Sequence, residues 1–198
     1  MPNKNELLEQ YDYHVWDPIL RSFHWLLVAA FFVSWWSEGR DLRIHIISGT
    51  LIAGLLLFRL IWGFVGQRHA RFASFYPTTA AILQHSRELL HFKSGEYIAH
   101  TPIGSLMIFI LLAVLIILSG TGMALIGLQI GLGVFASWSS ASFESEILIQ
   151  TIHLWCFNVL QLLIAIHLAG VVIESLLQRR NLVMAMIHGK KTIKEQHS

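Results

Sequence analysis

The sequence predicts an all-α integral membrane protein, a bundle of four transmembrane helices, on three observations. Hydrophobic residues make up 55% of the 198 positions and charged residues only 13%, against about 25% charged in a soluble domain. Four stretches supply the roughly 20 mostly apolar residues that a helix needs to cross the hydrocarbon core. Lys and Arg gather on one side of those stretches. At this length the chain reads as a single membrane domain, 1–198. Its net charge of +2 is mild and gives no reason to expect a nucleic-acid partner.

The first span is expected at about 18–36, with Pro18 at a helix start, where its missing N–H costs nothing. The second is expected at about 44–64. The third, at about 103–126, opens beside Pro102. The fourth, at about 147–177, exceeds what one crossing needs and should tilt or project. Between spans two and three, Ile82, Leu83, Leu89 and Leu90 recur at helical spacing in a polar segment. They predict an amphipathic interfacial helix over about 80–92. The 128–145 segment is rich in Gly and Ser, followed by Glu144 and Glu146. The end, 178–198, reads as a basic, largely flexible cytoplasmic tail. The polar N-terminal segment lacks a signal-peptide layout, so the first span is expected to be an uncleaved anchor.

Orientation follows from charge asymmetry. With a cytoplasmic N-terminus, twelve of the fourteen Lys and Arg lie inside and only Arg40 and Arg43 lie outside. Both termini are therefore expected in the cytoplasm. Trp16, Trp35, Trp36, Trp62 and Trp138 stand at span ends, as interfacial belts require. The one cysteine, Cys156, sits in an apolar run. No internal disulfide, no covalent c-type haem attachment and no cysteine-held cluster can form.

The chemistry is in the histidines. Four of eleven lie within spans: His24, His45, His153 and His167. An ionisable group inside a membrane is expensive and is a functional candidate by default. His24 and His167 fall toward the cytoplasmic side, and His45 and His153 toward the outside. The fourth-span pair is 14 residues apart, which returns to nearly the same helical face about 21 Å along the axis. Two facing histidines at each of two depths is what two non-covalent, bis-histidine haem b groups require, each neutral imidazole giving one ring nitrogen to iron. Single histidines of this kind also serve as hydrogen-bonded packing residues. A zinc site is disfavoured, because the pairs are far apart and lack carboxylate or thiolate companions. A flat porphyrin needs small residues beside it. Gly49, Gly120, Gly122 and Gly170 are suitably placed, though glycines also serve plain helix packing.

The segments Val15 to Trp25 (VWDPILRSFHW), His45 to Gly49 (HIISG), Arg59 to Gly66 (RLIWGFVG) with Ala70-Arg71-Phe72, His100 to Gly104 (HTPIG), and the His153/His167 pair together resemble the prokaryotic cytochrome b-561 family. The branch they resemble is that of the cytochrome b subunits of nickel–iron hydrogenases. The likeness spans about Val15 to Ile187. It implies a four-helix dihaem cytochrome of the bacterial inner membrane, exchanging electrons with quinone and with a partner protein. It carries over the same four ligands, His24, His45, His153 and His167. The 128–145 loop matches no family motif.

Arg21 and Arg59, near the cytoplasmic face, can each pair with a haem propionate through the planar guanidinium or snorkel to headgroups. Arg43 can do the same for the outer haem. His100 is a candidate proton acceptor beside a quinone or an interfacial residue. Glu174, two turns beyond His167, is a candidate for proton transfer or a helix-end anchor. His14, His69, His85, His91, His188 and His197 fall in polar segments and read as solvated.

The function this predicts is electron transfer between the quinone pool and a soluble or membrane-associated redox protein such as a c-type cytochrome. Two histidines per iron leave no open coordination position. One alternative is an oxidoreductase acting on a small species, for example superoxide, with quinone as co-substrate. The alternative of another class is a haem-free transporter or structural subunit. Lipid and quinone are expected partners, nucleic acid is not, and a homo-oligomer is compatible with the sequence.

Overall fold

The computed structural model describes residues 8–14, 17–91, 97, 100–140 and 142–196. Trp16, Lys93, Phe92 and His197 lie outside them. In chain order the elements are β1 (Leu8–His14), α1 (Pro18–Ser37), α2 (Leu42–Val65), α3 (Thr79–Leu90), α4 (Pro102–Ile130), α5 (Phe143–Leu177), α6 (Leu182–His188) and β2 (Lys190–Gln196). Short 3-10 turns occupy Arg68–Ala70, Phe72–Ser74 and Ala136–Ser140.

Each α-helix starts at a residue whose side chain accepts one of the first free main-chain N–H groups. Asp17 accepts from Leu20 at 2.6 Å, and Asp41 from Arg43 at 2.9 Å. Thr78, Thr101, Ser142 and Asn181 cap α3, α4, α5 and α6 in the same way. Pro18 and Pro102 occupy first-turn positions. α4 ends where Gly131 turns to φ +68°, a conformation that glycine adopts without steric cost. α4 runs beyond residue 126 to Ile130, and α5 begins at Phe143, ahead of residue 147.

Four helices, α1, α2, α4 and α5, are long and apolar enough to cross a membrane. They pack α1 on α2, α2 on α4 and α4 on α5. Phe157 of α5 meets Phe31 and Trp35 of α1 at ring-centroid distances of 6.4 and 6.1 Å, which closes the bundle. Its centre is Ala30, Phe31, Ile52, Leu56, Leu112, Leu115 and Leu160. The outer faces stay apolar: Ile47, Phe64, Trp155 and Leu176 are all exposed. Lipid is as apolar as these side chains, so helix association rests on close packing rather than on water exclusion. One such close approach is at Gly63, where a Cβ would collide with the Phe72 ring.

The two ends of the bundle differ. The Ser37–Leu42 and Ile130–Phe143 connections define a far end. The starts of α1 and α4 and the ends of α2 and α5 define a terminal end.

At the terminal end, beside the helices, β1 and β2 pair antiparallel, from Leu8 opposite Gln196 to His14 opposite Lys190. Residues 178–196, expected as part of a largely flexible tail, form α6 and β2. Asn181 starts α6 and Gly189, at φ +80°, ends it. Arg21 donates to the carbonyl of Ile187, and Trp25 Nε1 donates to that of Met186 at 3.4 Å. The apolar run Leu182–Ile187, flanked by start and stop signals, folds back onto α1 instead of trailing into solvent.

Candidate haem sites

His45 sits in the first turn of α2, and His153 lies about three turns into α5. Their rings face each other with centroids 6.4 Å apart and an interplanar angle of 76°. His45 Nδ1 lies 3.0 Å from the Ser34 carbonyl oxygen, and His153 Nδ1 lies 3.1 Å from that of Leu118. A carbonyl oxygen only accepts, so both Nδ1 atoms carry hydrogen. Both Nε2 atoms therefore keep a free lone pair, the tautomer a metal-ligating histidine needs. The Thr121 hydroxyl stands 3.0 Å from His153 Nδ1 and adds a second contact.

The pair opens on a cavity of about 500 Å³ at the far end of the bundle. His45, His153, Gly49, Gly122, Trp35 and Arg40 line it. No atom stands within 4 Å of the position a Gly49 Cβ would take, whereas a Cβ on Gly122 would come within 3.2 Å of the His153 ring. These residues fit a flat group held from both faces by imidazole. Arg43 is exposed and is not among the cavity residues. Arg40 is, with its guanidinium over the Trp36 ring at 5.6 Å.

The second pair lies toward the terminal end, on α1 and α5. His24 and His167 are close enough to interact electrostatically, and both are half-buried. His24 Nδ1 is buried with no hydrogen-bond partner, and its ring meets Trp25 edge-on at 5.1 Å. A buried polar nitrogen without a partner is costly, which fits a ligand-binding role. Gly170 has nothing within 4 Å of its Cβ position, and neither does Gly120, which is exposed.

Arg59 does not snorkel. It is buried at 4% exposure, with its guanidinium 4.5 Å from the Phe72 ring centroid and its Nη1 without a partner. Its near carboxylate is Asp17, which accepts from Trp62 Nε1 at 3.5 Å. Arg21 spends one nitrogen on the Ile187 carbonyl, and its Nε is buried with no partner. The His100 ring stacks on Phe75 at 4.4 Å, and Phe75 meets Phe109 at 5.4 Å. Among the described residues, no group of three or more His, Cys, Asp or Glu gathers to hold a metal ion. The four span histidines stand as two pairs.

His85 corrects the sequence reading. It is not solvated but fully buried, with Nε2 lying 2.7 Å from Oε1 of Glu174. Glu174 is thus joined to α3 rather than anchoring a helix end in solvent. Ser34 and Thr121, partners of the far-end histidines, do not stand out in the sequence, except that Thr121 places a hydroxyl within the apolar run 103–126.

The family model described as prokaryotic cytochrome b561 matches residues 15–189. The chain is 25% identical over 167 residues to a probable Ni/Fe-hydrogenase B-type cytochrome subunit of Rhizobium leguminosarum bv. viciae, covering 77% of this chain and 69% of that one. A protein of the same description from Bradyrhizobium diazoefficiens is 25% identical over 176 residues, covering 76% and 66%. One from Azotobacter vinelandii is 28% identical over 166 residues, covering 76% and 68%. The chain thus spans about two thirds of these relatives' length. No solved structure matches. Carrying that family's pattern across 175 of its 198 residues and four helices suited to a bilayer, the chain belongs to the prokaryotic cytochrome b561 family of multi-pass membrane cytochromes.

Proposed function

We propose that the chain binds two haem b groups, one between His45 and His153 and one between His24 and His167, and transfers electrons between the quinone pool and a redox partner protein. The observation that carries this reading is the far-end pair: two facing imidazoles, each with Nδ1 given to a main-chain carbonyl and Nε2 left to ligate. When bound, haem supplies one-electron chemistry, and the protein supplies ligation, burial and orientation. With two histidines holding each group, the site would suit outer-sphere electron transfer.

The residues divide the work by depth. Ser34 and Leu118 fix the far-end rings through their carbonyls, and Thr121 adds a hydrogen bond. Arg59, buried with a free nitrogen, is suited to a propionate at the terminal-end layer, and Arg21 to a second one. The aromatic group of Phe75, Phe109 and His100 offers a ring-stacking surface at the same end for a quinone headgroup.

Charge asymmetry supports a cytoplasmic terminal end in a bacterial inner membrane. The far end then faces outward, and the names of the relatives favour a hydrogenase as the electron donor there. Spectra of membranes from expressing cells test the reading. Bis-histidine b-type absorbance that diminishes by one component in His45→Ala, and by the other in His167→Ala, is expected. Membranes without that absorbance would refute it.

A further inference from the structure

The amphipathic helix α3 does more than lie across the terminal end. Its His85 is fully buried, and each ring nitrogen faces a carboxylate: Nε2 stands 2.7 Å from Glu174 Oε1, and Nδ1 stands 3.5 Å from Glu88 Oε2. The two carboxylates differ in setting. The Glu88 side chain is 27% exposed and the Glu174 side chain 11%. Gln178 Nε2 donates to the other Glu174 oxygen at 2.7 Å, and the Tyr97 hydroxyl donates to Glu88 Oε2 at 3.4 Å. The Tyr97 ring closes over His85 edge-on at 5.1 Å.

The remaining charged neighbours are few. α3 also carries Arg87 on its exposed side, and Arg179 and Arg180 stand in the turn after α5. α4, packed on α3, has no charged side chain along its length. Burial, and then the adjacent Glu88 carboxylate, raise the Tyr97 phenol above its ordinary value. It therefore favours the protonated form, which donates to Glu88.

An imidazole between a wetter and a drier carboxylate is a proton conductor, because it takes a proton on one nitrogen and releases one from the other. Glu174 lies seven residues after His167. That is within about 20° of the same helical face and about 10 Å along the axis.

We propose that Glu88, His85 and Glu174 form a proton relay, loading Glu174 from the aqueous side when an electron enters the His24/His167 layer. The proposal rests on the haem reading above. The electron comes from the redox partner or from a quinol and reduces ferric iron to ferrous. The proton comes from water, passes to Glu88, enters His85 at Nδ1 and leaves from Nε2 to Glu174 Oε1, converting that carboxylate to the acid. Oxidation reverses both movements. An electron added to that layer attracts a proton into the relay, so the midpoint potential of that layer falls as pH rises.

The experiment uses purified, haem-loaded full-length protein. Spectroelectrochemical titration gives each layer's midpoint against pH, and reduction-triggered infrared difference spectra report carboxylic acid formation directly. The wild type should show a pH-dependent midpoint in the His24/His167 layer and a carboxylic C=O band that shifts in deuterium oxide. Glu174→Gln should abolish both. His85→Gln should keep the equilibrium fall while slowing proton uptake at least tenfold. A pH-independent midpoint in the wild type, the absence of the C=O band, or a fall that persists in Glu174→Gln overturns the relay. A merely structural clasp would lower thermal stability in these variants and leave the pH profile unchanged. Protein lacking b-type absorbance would fail the haem reading itself, a distinct result.

Discussion

The ring of His45, in the first turn of α2, stands 6.4 Å from the ring of His153 on α5, and each turns Nδ1 to a main-chain carbonyl of a neighbouring helix. Main-chain carbonyls cannot be lost by substitution, so the tautomer is fixed by the fold itself. On the proposed haem reading, Nε2 is the nitrogen already left to ligate, which lowers the ordering cost of binding.

Loss of one ligand should therefore act on one layer. His45→Ala and His153→Ala should each remove the far-end haem and spare the other, and His24→Ala and His167→Ala should do the reverse. Resolved low-temperature spectra of the four variants check this. If His24→Ala and His153→Ala eliminate the same spectral component, the layer assignment is wrong.

Thr121→Val removes a side-chain partner of His153 but leaves the Leu118 carbonyl. Outer-shell losses at metal-binding histidines typically cost 10–100-fold in affinity. With one partner retained, a loss at the low end of that range, about tenfold, is expected in a haem-transfer competition assay. No loss, or loss of the haem outright, would mean that Thr121 plays a different part.

Two glycines should separate packing from cofactor binding. Gly63→Ala drives a methyl into the Phe72 ring, beside Arg59. It should cost about 1–3 kcal/mol of stability, as overpacking does. Gly49→Leu meets no atom at its Cβ but projects into the His45/His153 cavity. Its expected signature is unchanged thermal stability of the apoprotein and loss of the far-end haem. Equal haem content in Gly49→Leu and wild type would contradict this placement.

Much of this was legible in the sequence for a physical reason. Membrane spans announce themselves through apolar length, and a histidine inside such a span is conspicuous. Position along a helix then converts directly to depth, so the four ligand candidates could be sorted into layers without coordinates. His85 was not legible. It sits in a polar segment where a histidine is ordinary, and its partner Glu174 lies 89 positions away, a contact no local periodicity encodes. The β1–β2 pairing joins the two ends of the chain and is hidden for the same reason. The carbonyl partners of His45 and His153 depend on how neighbouring helices pack, which spacing along one helix cannot give.

Charge at the far end gives a kinetic prediction. Glu38, Asp41, Glu144 and Glu146 oppose Arg40 and Arg43 at the far end. Glu146 also accepts from Gln129 Nε2 at 2.9 Å, which holds it near the end of α4. A basic c-type cytochrome should oxidise the haem more slowly as salt rises from tens to hundreds of millimolar, because the Debye length contracts to about 8 Å at physiological ionic strength. Such exposed charges act mainly on encounter rate. A salt-independent stopped-flow rate that is unchanged in Glu144→Gln with Glu146→Gln would show that this face steers no partner.

The most direct test of the account is haem stoichiometry. Protein purified from the membrane fraction should release its haem into acid acetone, as a non-covalent group must. Haem quantified against chain concentration should then give two per chain. A value of one would break the two-layer arrangement of His24 with His167 and His45 with His153, and a value of zero would end the electron-transfer reading.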